Sequence, residues 1–332
     1  MKKLSECVPL IGLEKLKRKF PLYFKWVEEF RENKRSDLYW PKEFCYCPID
    51  LTRQFLKSTY PELIQSDDFH KVERLLPCYA AWSKSKEVYE LDQSLAETFA
   101  DQWDSDISVT SDLITIPSWC IYVKTGIVEN CDGFLMTFEY NVIENRKELE
   151  IYILANDGEV MAPFSLVIPN EPMELSALLK NQMVEFNMRN ARRDVLQSEE
   201  QFKKYFEISR KMIRFSLAVL LYLSASNAEV KVKKAGSSRK PSKKHEASAI
   251  TSYDVGKKTG IHIRKMHKYL ADHSEESLGG HHRSPVMHVR RAHYHTFLYG
   301  EGKTKRRVKW LPPIIVNAEG KEVDFVTVTE VK

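Results

Sequence analysis

Glycine is scarce in this chain, 12 of 332 residues against a usual share of about 7%, and those twelve are scattered. A glycine-rich nucleotide loop is therefore not expected. Gly302-Lys303-Thr304 has the ending of a phosphate-binding loop, but that motif needs a glycine five positions earlier, where Phe297 stands. No Cys-x-x-Cys pair occurs, which removes the usual zinc and redox spacings. Long apolar runs are also missing. The most apolar stretch, Met212 to Ser226, carries Arg214 and falls short of the roughly 20 residues a membrane span needs, which predicts a buried helix and no membrane partner. The N-terminus holds only a short apolar run before charge returns, too little for a secretory leader. A reducing cytoplasmic compartment is expected, with Cys7, Cys45, Cys47, Cys78, Cys120 and Cys131 as thiols. Cys45-Tyr46-Cys47 has the wrong spacing for a redox or metal pair and reads as two half-buried thiols.

Hydrophobic residues make up 43% of the chain and charged residues 29%, globular values that exclude wholesale disorder. Charge is distributed unevenly. Residues 229–310 hold 20 Lys and Arg against 7 Asp and Glu, a net +13, whereas 1–228 hold 29 against 35, a net −6. A basic block on an acidic body points to a polyanion partner, with a solvated face as the alternative.

The periodicity predicts an α+β fold: a helical N-terminal part, a central antiparallel sheet extended by C-terminal strands, and long helices packed on it. Within 1–110, Leu13, Leu16, Phe20, Tyr23, Phe24, Val27 and Phe30 recur at helical steps, with a break at Pro21. Further helices are expected over 69–82 and 88–103. Within 111–228, four β-rich runs between 114 and 169 are separated by turn signals such as Asn-Asp-Gly, and helices are expected over 173–190 and 199–225. Residues 229–250, rich in Lys, Ser, Gly and Pro, are expected to be a flexible basic linker. Residues 251–332 carry runs at 287–300, 306–316 and 323–331 that resemble strands and are expected to pack on the central sheet, with Gly300-Glu301-Gly302 as a hairpin turn.

Eight of the ten histidines fall between His262 and His295. If 287–299 is one strand, Arg291, His293, His295, Phe297 and Tyr299 share one face, and Arg290, Ala292, Tyr294 and Leu298 the other. Such a row can bind phosphates. It can also move protons in phosphodiester cleavage, with His293 and His295 as base and acid and Arg291 stabilising the phosphorane. Metal binding by His-x-His needs further ligands that the neighbourhood does not offer, and Arg290 and Arg291 place positive charge beside any cation. The bland alternative is hydrogen bonding within the fold. Neither a metal nor a cofactor is expected. A second cluster, Lys303, Lys305, Arg306, Arg307 and Lys309, lies between Tyr299 and Trp310. Cations interleaved with aromatic rings suit single-stranded nucleic acid, and the same residues suit a solvated hairpin with Trp310 in the core.

The run His288-Val289-Arg290-Arg291-Ala292-His293-Tyr294-His295, then Gly300, then Arg307-Val308-Lys309-Trp310, Pro312 and Val316-Asn317, resembles the signature of the second family of anti-CRISPR proteins directed against the type V-A RNA-guided effector nuclease. Tyr79-Ala80-Ala81-Trp82, Val88 to Asp92 and Ile116 to Val123 agree more loosely. Ala292 and Tyr294 replace the commoner Gly and Trp. The resemblance implies a phage- or plasmid-borne protein acting in the cytoplasm of a bacterial host. It implies recognition of the N-terminal region of the newly made effector polypeptide and loss of its message, with mRNA or ribosome as further partners and no enzymatic site. On that expectation Trp82, Trp119 and Tyr122 are candidate peptide contacts, with the core as their alternative place. Arg290, Arg291, His293, Tyr294, His295, Lys303, Lys305, Arg306, Arg307 and Lys309 are candidate nucleic-acid contacts.

Overall fold

A computed structural model describes residues 7–32, 39–101, 108–110, 112–127, 130–174, 176–178, 180–181, 199–233, 250–273 and 288–316. The helical N-terminal part comprises α1 (Val8–Lys19), α2 (Pro21–Glu32), α3 (Ile49–Thr59) and α4 (Phe69–Ser85). Pro21 separates the first two as its chemistry requires. Phe20 closes α1 by donating its N–H to the Leu16 carbonyl, and Pro21 opens α2, where the first-turn N–H has no helical acceptor anyway.

After α4 come β1 (Glu87–Leu91), α5 (Gln93–Asp101), β2 (Ser108–Val109), β3 (Cys120–Lys124), β4 (Cys131–Asn141), β5 (Arg146–Ala155), β6 (Val160–Val167) and β7 (Met173–Glu174). The chain continues through α6 (Glu199–Ser224), β8 (Val230–Val232), β9 (Thr251–Val255), α7 (Lys257–His273), β10 (His288–Arg290), β11 (His293–Tyr299), β12 (Lys305–Leu311) and β13 (Ile314–Val316). Among the described residues, seven strands form one sheet in the order β6-β5-β4-β3-β1-β9-β8. The α+β expectation holds, and β3 to β6 make the antiparallel sheet read from the sequence.

Alternation along the strands divides the core in two. Ile121 and Val123 of β3, Phe134 and Met136 of β4, and Leu149, Ile151 and Ile153 of β5 face one side, toward Phe99 of α5 and Leu217, Leu221 and Tyr222 of α6. Cys120, Tyr122, Leu135, Tyr152 and Leu154 face the other, toward Leu13, Tyr23, Leu76, Tyr79 and Trp82 of α1, α2 and α4. A sheet covered on both faces explains why its strands read as nearly continuous apolar runs. Each fully buried large side chain contributes about 1.5–3 kcal/mol relative to exposure. β6 lies at one edge, which is where Pro163 can be accommodated without breaking a ladder on both sides.

Several sequence expectations are corrected. Residues 88–103 are not one helix: Glu87–Leu91 is a strand, parallel to both β3 and β9. Val88 and Tyr89 fill opposite cores, and the partner that fixes them, β9, lies far downstream, outside any local periodicity. Lys86, in the left-handed conformation (φ 48°), closes α4 and redirects the chain into β1. Asp92 then starts α5 by accepting the Ser94 N–H at 3.0 Å. At 173–190 the chain first pairs as a strand, Met173–Glu174 against Ser108–Val109. Helical residues follow at 176–178 and 180–181, and the rest of that expected helix lies outside the described residues. Val230–Val232, within the segment expected to be a linker, is the outermost strand of the sheet. The remainder of that segment, 234–249, and the expected strand 323–331 lie outside the described residues.

Residues 287–299 are not one strand either. His288–Arg290 pairs with Ile314–Val316, and after a break at Arg291-Ala292 the segment His293–Tyr299 pairs with Lys305–Leu311. Pro312 and Pro313 impose the matching break on the partner strand. β9 and β8 extend the central sheet, whereas these two ladders are separate two-stranded sheets, with Ala292, Val308 and Trp310 buried in the same core. The turn at Gly300 and Gly302 takes positive φ at both glycines (81° and 65°), as expected of a glycine hairpin.

A buried acidic cluster, assembled from separate elements and so without a local sequence pattern, lies between α4 and the sheet. Glu139, Glu148 and Glu150 are buried, Arg74 pairs with Glu150, and the Tyr152 hydroxyl donates to Glu150 at 3.1 Å. Burial pushes the Glu139 carboxyl well above its ordinary range, and neighbouring Glu150 and Glu148 add to this. The Ile49 N–H, donating to Glu139 at 2.6 Å, opposes it. Glu139 is therefore protonated in the fold at pH values where the unfolded chain has released that proton. The unfolded state then binds fewer protons, so stability falls as pH rises above the ordinary value of 4.5, by at most about 1.4 kcal/mol per pH unit for one group. Urea midpoints measured from pH ~5 to ~7 should fall less steeply in Glu139→Gln than in the wild type, because Gln keeps the acceptor for Ile49 without the titration. An unchanged slope would place the ionisation elsewhere.

Candidate nucleic-acid interface

The β11–β12 hairpin has two unlike faces. On one, Val308 and Trp310 are buried and Tyr294 packs against the core. The Trp310 ring meets Phe99 and Tyr222 edge-on, with centroids 5.8 and 5.5 Å away. Asn227, just after α6, donates to the Trp310 carbonyl at 2.7 Å and accepts its N–H at 3.1 Å. The Ser226 N–H donates to the Val308 carbonyl at 3.0 Å. The Tyr294 hydroxyl, 2.5 Å from the Ala218 carbonyl of α6, completes the attachment. Tyr294, expected among the nucleic-acid contacts, is instead part of this anchor, and burial raises its hydroxyl pKa well above the ordinary value.

The opposite face carries His293, His295, Phe297 and Tyr299 from β11 and Lys305, Arg307 and Lys309 from β12, in direct cross-strand pairs His295–Lys309, Phe297–Arg307 and Tyr299–Lys305. His295 and Phe297 touch edge to face at 4.3 Å. The Arg307 guanidinium lies 4.7 Å from the Tyr299 ring centre, and the Lys309 ammonium 5.5 Å from that of Phe297. Phe297 and Tyr299 remain 40% and 41% exposed, so rings and cations are both presented to solvent. Lys303 is exposed in the turn. This is the alternation of planar groups and positive charge that a single strand of nucleic acid requires.

The structure does not bring all the expected residues together. Arg306 faces the anchored side, with Asp112 3.7 Å away. Arg290 belongs to the separate β10–β13 ladder. Arg291 sits in the break, where its carbonyl lies 3.2 Å from His293 Nδ1, so it does not line up with the two histidines as a single strand would require. Among the described residues, no group of three or more His, Cys, Asp or Glu is placed to hold a metal ion. No described helix is long and apolar enough to cross a membrane.

A sequence model described as AcrVA2-like, the anti-CRISPR type V subtype A2 family, matches residues 89–318, which runs from β1 through this hairpin and covers most of the chain. The chain belongs to that family. The crystal structure of AcrVA2 has the same fold: it superposes with a TM-score of 0.55 at 17% identity, over 92% of this chain and 97% of the other. Comparison with curated protein sequences finds no match. The resemblance read from 288–317, and more loosely from 79–226, is thus borne out, and the α1 to α4 layer precedes the matched segment.

In this family member two of the three aromatic residues expected to contact peptide are core residues. Trp82 is fully buried, with Nε1 donating to the Glu87 carbonyl at 3.1 Å. Tyr122 is buried as well, with its hydroxyl 2.5 Å from Asp132. Both face the α1–α4 layer from positions that only pairing of distant elements defines. Trp119 is half-buried, edge-on to Tyr46 and under the Arg31 guanidinium, and its Nε1 donates to the Lys42 carbonyl at 2.8 Å. It ties the segment between α2 and α3 to β3.

Proposed function

We propose that this anti-CRISPR protein blocks a type V-A effector by binding its newly made polypeptide at the N-terminal region, and that the exposed hairpin face contacts the mRNA or ribosome carrying that chain, so that the message is lost. The two-faced hairpin carries this reading. A ladder whose inner face is fixed to α6 by Trp310, Tyr294 and Asn227 holds its outer rings and cations in place before any ligand arrives. The chain acts here as a binding protein. The acidic body, net −6 over 1–228, avoids RNA and leaves its contact to the basic third.

Affinity for single-stranded RNA is expected to fall with salt, each phosphate neutralised adding about −0.7 to the slope of log K against log salt. Reversing Arg307 and Lys309 to Glu should weaken all RNA sequences alike and flatten that slope, since phosphate contacts position without specifying. Arg306→Glu should do much less, because its side chain is turned to the anchored face. Anisotropy titrations at several salt concentrations test this. RNA binding that is undetectable at low salt, or indifferent to the Arg307/Lys309 reversal, would leave the protein partner alone. Cleavage of labelled RNA in EDTA that His293→Ala and His295→Ala abolish would replace binding by catalysis.

A further inference from the structure

With Trp82 and Tyr122 in the core, recognition of a polypeptide needs another surface. A cleft of about 220 Å³ lies between α1, the N-terminal half of α4 and the β5–β6 turn. Two glycines shape it. Gly158 takes φ +82° in the turn, and a Cβ there would come within 3.1 Å of the Val8 carbonyl of α1. At Gly12 an added Cβ would lie 2.1 Å from the Tyr79 hydroxyl. Both positions are closely packed, so a side chain at either glycine would displace a wall of the cleft.

Its walls are apolar, with Leu16, Phe20, Val72 and Leu75 prominent, and Tyr79 is at its floor. Tyr79 is 1% exposed, yet its hydroxyl has no hydrogen-bond partner. A buried hydroxyl left without a partner costs about 1–3 kcal/mol, so a donor in this position favours a ligand that brings an acceptor. At the rim stand Lys15, Lys19 and Lys71 against Asp68 and Glu159, a net +1. Lys15 is held by Glu159 at 2.7 Å, and Lys71 lies 4.0 Å from the same carboxylate. The Lys19 ammonium rests 5.4 Å from the Phe20 ring centre and contributes the remaining positive charge.

We propose that this cleft is a peptide-recognition pocket that takes one apolar side chain of an extended segment, with a neighbouring carboxylate at the lysine rim and a backbone or side-chain oxygen accepting from Tyr79. Its volume is below the roughly 300–1,000 Å³ of small-molecule sites, which suits one or two side chains and not a cofactor. The inference rests on the polypeptide-recognition reading above and gives it a location distant in sequence from the hairpin.

The test uses the full chain and fluorescein-labelled overlapping peptides covering the N-terminal region of a type V-A effector, with scrambled peptides as controls, read by anisotropy. Tyr79→Phe keeps the ring and removes only the orphan hydroxyl. It should melt no lower than the wild type while losing about 3- to 10-fold in affinity for the best peptide, the worth of one neutral hydrogen bond. Leu16→Trp, which fills the cleft, should lose more, and Lys71→Glu should weaken most the peptides that carry a carboxylate. Arg307→Glu, on the hairpin, should leave peptide affinity unchanged. If the wild type binds a peptide and the three cleft variants bind it equally well, the cleft assignment is wrong and the recognition reading stands. Failure of the wild type to bind any of the peptides overturns both.

Discussion

Truncating Trp310 to alanine is expected to destabilise the protein by about 3–5 kcal/mol and to abolish RNA binding with it. The ring closes the core formed by Phe99, Tyr222 and α6, so its loss opens a cavity that the flanking rings cannot refill without moving. Its backbone is held from both sides by Asn227, which leaves the hairpin tethered but without its wedge. Thermal melting and RNA titration of the same variant separate the two effects. Trp310→Phe should recover much of the stability and most of the RNA affinity, since the outer cations are untouched. A variant that melts like the wild type would show that the hairpin is not packed on α6 through this residue.

Removing Arg74 is expected to have a comparable effect on stability for an electrostatic reason. Arg74→Met leaves Glu150, buried to within 2% of its side chain, without its cationic partner, and beside it stand Glu139 and Glu148. Breaking a buried pair from one side costs about 3–5 kcal/mol because the remaining charge is uncompensated. The partial exposure of the Arg74 side chain, 29%, places the expected loss near the lower figure. The double variant Arg74→Met with Glu150→Gln should regain most of it, since it no longer buries a lone carboxylate. The double-mutant cycle is measured by urea unfolding at neutral pH, and additivity of the two single losses would mean that the pair is not coupled.

The parts of the fold legible in the sequence are those set by local pattern. Pro21 marked the junction of α1 and α2, Asn-Asp-Gly and its kind marked the turns of the antiparallel strands, and the run around Met212–Ser226 marked a buried helix. Elements defined by distant partners were not legible. Val88 to Leu91 fits a helical step as well as a strand, and only the flanking β3 and β9 decide between them. The basic cluster and its interleaved rings were visible as composition, but which of them reach solvent depends on the two-residue period of β12. That period turns Arg307 and Lys309 outward and Arg306 and Trp310 inward. The acidic cluster with Arg74 and the cleft over Tyr79 left no local mark, because each is assembled from side chains on separate elements.

The parallel strand β1 has a bearing on how the chain acquires its shape. One of its edges is covered by β3, but the other waits for β9, whose residues leave the ribosome only after β3 to β6 and α6 have been made. Closing so long a loop carries an entropic penalty that grows as about 1.5RT ln n, and it must be met before the pairing returns any stability. Until then Glu87–Leu91 presents an open row of backbone donors and acceptors, the template on which strands of other chains aggregate. Chains ending before Thr251 should therefore collect in inclusion bodies, whereas the full-length chain should fold through a slow last phase in which β9 docks.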